Sequence, residues 1–116
     1  MRGGEERVVA AYVSWLEGQS WIVRREVDFV DVYAERGDDK LYAEGKGRTA
    51  AIGLDVDTLY GQLLRRMKDP GTSAQYAVVV PTAALVAALR VPAWVRDRLH
   101  IGVYEVDDDG TVHPHS

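Results

Sequence analysis

The chain has 116 residues, 47% hydrophobic and 28% charged, enough for one domain with a real core and too few for two. It has no cysteine, which excludes disulfides and thiolate metal sites and leads us to expect a reducing, cytoplasmic setting. A formal net charge of −4 argues against a protein that grips nucleic acid through its surface field alone.

From Glu5 to Leu16 the apolar residues Val8, Val9, Tyr12, Val13, Trp15 and Leu16 recur at helical spacing, and Gly18 supplies a stop. Trp21 to Val27 reads as a first strand. Residues 29–35 and 40–46 form two more strand-like segments, with Arg36-Gly37-Asp38-Asp39 between them. Gly-Asp flanked by alternating residues is a two-residue hairpin signal. With Gly37 and Asp38 as the turn, paired residue numbers sum to 75, so Glu35 meets Lys40, Tyr33 meets Tyr42 and Asp31 meets Glu44. Phe29 then faces Lys46. The opposite-charge pair and the aromatic pair suit an antiparallel ladder. The reverse face is Val30, Val32, Ala34, Leu41, Ala43 and Gly45, and a one-residue slip would drive every charge into that core face.

Gly47 to Leu54 reads as a loop, with Asp55 or Asp57 capping the next helix. Its apolar stripe is Val56, Leu59, Tyr60, Leu63, Leu64 and Met67, and Pro70-Gly71 ends it. Tyr76 to Val80 suits a strand buried on both faces. Thr82 is expected to cap a helix from Ala83 to Arg90. Pro92 opens a turn or helix to about Leu99, and Ile101 to Val106 forms the last strand. Asp108-Asp109-Gly110 is a turn, and 108–116 is read as tail. The longest nearly apolar stretch, Ala77 to Leu89, is too short to span a bilayer and contains Pro81, so no membrane partner is expected.

The hairpin forces Asp31 and Glu44 together at about 5 Å between Cβ atoms, where like charges repel. A divalent cation with oxygen ligands would offset that repulsion. Glu44 and Lys46 share a face, which sets an ammonium beside the proposed metal position. Asp31, the thirteen-residue step to Glu44, and then x-Lys46 resemble the PD-(D/E)XK nuclease superfamily, with spacing similar to archaeal Holliday-junction resolvases. That resemblance implies an α/β, restriction-endonuclease-like αβββαβ core, here over roughly residues 5–80, plus a C-terminal αβ extension in 82–107. The sheet would be mixed, with helices on both faces.

The resemblance also implies roles. Asp31 and Glu44 would bind Mg²⁺, with Mn²⁺ as the alternative, and Gly45 would add its backbone carbonyl. Lys46 would orient or deprotonate the attacking water and stabilise charge on the phosphate. Glu5 or Glu6 would add a carboxylate from the first helix, although acids there also simply complement the helix dipole. Tyr60-Gly61-Gln62-Leu63-Leu64-Arg65-Arg66 resembles a family helix whose glutamine, here Gln62, faces the site. Arg48, Thr49, Arg65, Arg66 and Lys68 are candidates for phosphate contact. Val30 stands where the family has proline, and Gly45 where it usually has an apolar residue. His113 and His115 do not make a metal site by themselves. Trp15, Trp21 and Trp94 read as core or partly buried anchors.

The expected function is Mg²⁺-dependent hydrolysis of DNA. The competing expectations are a nuclease-fold module that binds or scaffolds but cuts nothing, and a nuclease subunit active only in a larger complex. Between Arg24 and Lys68 there are nine basic and nine acidic residues, against three and six afterwards, so any basic surface comes from the middle of the chain. DNA binding is therefore expected to be weak or partner-dependent. Val86, Leu89, Val91 and Trp94 exceed what one small core readily hides, and a homodimer through the last helices or the final strand is expected.

Overall fold

The computed structural model describes residues 3–27, 30–47, 50–68 and 74–115. Helix α1 (Gly3–Glu17) leads into β1 (Ile22–Arg25), β2 (Val32–Arg36) and β3 (Asp39–Gly45), which form an antiparallel meander. Val32 pairs with Ala43, Tyr33 with Tyr42, Ala34 with Leu41 and Glu35 with Lys40, the register expected from the turn. Gly37 takes φ of +64° while Asp38 keeps a negative φ, the pattern of a type II′ turn that matches strand twist.

Helix α2 (Ile52–Arg65) carries the chain from β3 to β4 (Gln75–Pro81), and β4 lies parallel to β3. A 3-10 turn (Thr82–Ala84), α3 (Leu85–Ala88) and α4 (Ala93–Leu99) lead to β5 (Ile101–Val106), parallel to β4. The last strand, β6 (Val112–His115), returns antiparallel to β5. The result is one six-stranded mixed sheet in the order β1-β2-β3-β4-β5-β6.

Each face of the sheet has its own core. Val8, Val9, Tyr12 and Leu16 of α1 pack on Val32, Ala34, Leu41, Ala43, Ala77 and Val79. Val56, Leu59, Tyr60 and Leu63 of α2 pack on Tyr76, Val78, Val80 and Val103. Strand β4 alternates between the two cores, which is why it reads as a continuous apolar run. On the α2 face, Tyr33, Tyr42 and Tyr76 stand in one cross-strand row, with ring centroids 5.0 and 5.7 Å apart. No helix among the described residues is long and apolar enough to cross a membrane.

Local details depart from the sequence expectations for identifiable reasons. Strand β2 starts at Val32 because the chain bends at Asp31, where the carbonyl accepts a 3.1 Å bond from the N–H of left-handed Glu26. Phe29 and its pairing with Lys46 lie outside the described residues. Neither Asp55 nor Asp57 caps α2. The helix begins at Ile52 with Ala51 as N-cap, leaving Asp55 in the first turn, where it still favours the dipole. Thr82 caps nothing either; its hydroxyl donates to Glu105 at 2.6 Å, and the expected helix over 83–90 is split into the 3-10 turn and α3. Leu64 is exposed rather than part of the α2 stripe. Trp94 is exposed, with Arg98 over its ring, whereas Trp21 is buried under Arg36.

The supposed tail is a strand. Its signal is faint because Val112 alone is buried and Pro114 is tolerated only at an edge. Asp107 builds the preceding turn by accepting the Asp109 and Thr111 N–H groups at 2.9 Å each. Contacts of the His113 Nε2 with Asp107 at 2.8 Å and the His115 Nε2 with Glu105 at 3.0 Å then tie β6 down.

The contact that positions the site is made by Gly47. A methyl group there would lie 2.1 Å from the Glu5 nitrogen and 2.5 Å from the Gly4 carbonyl carbon, both backbone atoms. Only glycine lets the chain leaving β3 touch the start of α1. Gly47→Ala is therefore expected to lower the unfolding free energy by about 1–3 kcal/mol or more in urea titration. Gly61 offers the opposite case, because it sits inside α2 and an added Cβ would meet nothing within 4 Å. Gly61→Ala should stabilise by about 0.5–1 kcal/mol. Equal midpoints for wild type and Gly47→Ala would contradict the packing described.

Candidate functional site

Asp31 and Glu44 come together beside the end of β3. The Asp31 side chain turns back onto the strand, and its Oδ2 accepts the Gly45 N–H at 2.8 Å. The Asp31 N–H in turn donates to the Glu44 carboxylate. These reciprocal bonds lock the bend to the strand end. In an extended strand a residue's N–H and C=O point to the same side, so the Gly45 carbonyl also projects toward Asp31. Lys46 follows, half-buried, with its own N–H bonded to the Val79 carbonyl at 2.9 Å on the opposite side.

Glu44 is the electrostatic centre. Its side chain is 5% exposed, and among the described residues its Oε2 has no hydrogen-bond partner. Burial pushes its pKa up to about 7, and the neighbouring Asp31 carboxylate pushes the same way. The Asp31 N–H and the Arg66 guanidinium pull it down, and Glu5 adds a smaller upward push. A buried carboxylate with a free oxygen beside a second carboxylate is an arrangement that a cation stabilises.

The two first-helix candidates separate. Glu5, seated where α1 meets Gly47, is half-buried and within electrostatic reach of Glu44. Glu6 is exposed and turns to β1, where it takes both Nη atoms of Arg25 at 2.8 and 2.7 Å. Arg66, the C-cap of α2, is the half-buried member of its basic group and the one that reaches Glu44. Gln62, Arg65 and Lys68 are exposed. Arg48 and Thr49 lie outside the described residues. Among the described residues no group of three or more His, Cys, Asp and Glu side chains is arranged to hold a metal ion.

A pair of carboxylates and one carbonyl suits a hard cation that keeps several waters and accepts phosphate oxygens, which is the chemistry of Mg²⁺. Gly45 has a structural part as well. A Cβ there would lie 2.7 Å from Val9 Cγ2, so α1 fills the space that an apolar side chain would take elsewhere. Arg25 was missed in the sequence because its importance depends on β1 pairing with β2, which sets Arg25 opposite Val32 beside the Asp31 bend.

The raised Glu44 pKa has a definite pH signature. Between about 4.5 and about 7 the folded state holds a proton that the unfolded chain has released, so stability falls as pH rises through that window. At 1.36 kcal/mol per pH unit the loss amounts to about 3 kcal/mol. The stability difference between Glu44→Gln and wild type should therefore move in the variant's favour by that order between about pH 5 and pH 8. Urea titrations at several pH values would read this out. A difference that stays constant with pH would mean that Glu44 is not held protonated by its surroundings.

No family model matches the sequence, and no curated protein matches it. Solved structures do. An XisH family protein from Nostoc punctiforme PCC 73102 superimposes with a TM-score of 0.58 at 20% identity, over 92% of this chain and 96% of that one. An fdxN element excision controlling factor protein from Anabaena variabilis gives 0.59 at 18% identity, over 93% and 96%. At such identities the likeness is one of fold, and it extends over nearly the whole chain. The shared fold is mixed α/β, an αβββαβ succession continued by α3, α4, β5 and β6.

Proposed function

We propose that this protein is a metal-dependent nuclease that hydrolyses phosphodiester bonds in DNA. The observation that carries the reading is Glu44, buried with one oxygen unpartnered, beside the Asp31 carboxylate at the end of β3. Mg²⁺ bound there would supply charge neutralisation at the phosphate and a water of lowered pKa. Asp31 and Glu44 would hold it, with the Gly45 carbonyl as a third oxygen. Lys46 would set the attacking water in line and accept its proton or stabilise the developing charge. The water oxygen bonds to phosphorus as the P–O bond to the leaving strand breaks. The name of one structural neighbour, an excision controlling factor of a genetic element, supports DNA over RNA as substrate.

The second reading is a subunit that needs a partner to engage DNA, or a module that binds without cutting. It is favoured by the net charge of −4 and by the acids gathered at the site. A two-fold dimer through the exposed Val86 and Trp94 would supply two cutting centres.

Incubation of purified protein with duplex, single-stranded and branched DNA in Mg²⁺, Mn²⁺ or EDTA tests the proposal. Cleavage should require the cation and fall by about 10²-fold or more in Asp31→Ala and Lys46→Ala. Cutting that survives either substitution would assign the activity to something else.

A further inference from the structure

The Glu6–Arg25 pair lies beside the Asp31 bend and has no part in the chemistry above. It joins the first turn of α1 to the last residue of β1 in a fork-on-fork arrangement, both Nη atoms on both carboxylate oxygens at 2.8 and 2.7 Å. Arg25 also lies within electrostatic reach of Glu26 and Asp31. The cation is thus held among three acids, close to where the reading above puts the scissile phosphate.

We infer that Arg25 is a backbone-phosphate anchor, and that Glu6 occupies it until a nucleic-acid phosphate takes its place. This rests on the nuclease reading for the identity of the polyanion. A carboxylate and a phosphodiester present the same pair of oxygens to a guanidinium, so the fork that holds Glu6 fits a phosphate without rearrangement. Both side chains are partly open to solvent, Arg25 at 38% and Glu6 at 61%, so the pair is accessible from solvent. The pair is open to solvent and screened by salt, so a phosphate can exchange for the carboxylate. The acid lowers the affinity for every polyanion equally and gives a net-acidic protein a cation that engages only when a phosphate is presented at the site.

A double-mutant cycle on labelled duplex DNA, read by fluorescence anisotropy in EDTA at several salt concentrations, tests the inference. Glu6→Gln should bind about 3- to 10-fold more tightly than wild type, and Arg25→Gln should bind more weakly with a salt slope smaller by about 1. In the Arg25→Gln background, Glu6→Gln should have lost most of its effect. Arg25→Lys keeps the charge without the fork, and should recover the salt slope but not the coupling to Glu6. A Glu6→Gln effect that persists undiminished without Arg25 would overturn the inference in favour of general charge repulsion, and unchanged binding in Glu6→Gln would overturn it outright. Far-UV spectra and unfolding midpoints check that each variant is folded. Strand cutting in Mg²⁺ is assayed separately. A cycle that behaves as described with no cutting sustains the anchor and sinks hydrolysis, whereas cutting with a flat cycle does the reverse.

Discussion

Two carboxylates brought together just beyond the paired part of one hairpin set the terms for everything around them. The turn at Gly37-Asp38 fixes a register in which apolar residues fill the α1 face; the ladder stops at Val32–Ala43, so Asp31 does not pair with Glu44 as expected and reaches it from a bend instead. Repulsion there is contained by backbone geometry: the bend at Asp31 lets its side chain accept the Gly45 N–H while its own N–H serves Glu44. The charge that remains is handled by burial, which keeps Glu44 protonated until near neutrality. The fold therefore accommodates the pair by keeping one of the two carboxyls neutral.

The surroundings are graded by distance from that centre. Gly47 admits the start of α1, which brings Glu5 within reach of Glu44, and the end of α2 delivers Arg66 from the other side of the sheet. Farther out, Glu6 and Arg25 neutralise each other. A chain of net charge −4 thus assembles a site in which cations stand behind or beside acids.

Much of the architecture was legible because the strands alternate cleanly. Tyr33 opposite Tyr42 and Glu35 opposite Lys40 follow from a two-residue turn, and β4 announced its double burial as an unbroken apolar run. Helix starts were less legible. Asp55, Asp57 and Thr82 are good capping residues by type, but tertiary packing placed the helix starts elsewhere and gave Thr82 to Glu105. At the site, Glu44 and Lys46, two residues apart at the end of β3, could be found by counting. The choice between Glu5 and Glu6, and the presence of Arg25, depend on how α1 docks on the sheet, and local sequence carries no trace of that.

The two borders of the sheet are closed to further strands by different means. Asp107 N–H bonds the Thr111 carbonyl, so alternation along the β5–β6 ladder turns the Pro114 nitrogen outward, where it offers no donor. At the other border, β1 is four residues long and is bracketed by left-handed Ser20 and Glu26, too short to template a neighbour. Neither border invites strand addition from another copy, so the sheet is protected from edge-to-edge aggregation despite its large apolar content.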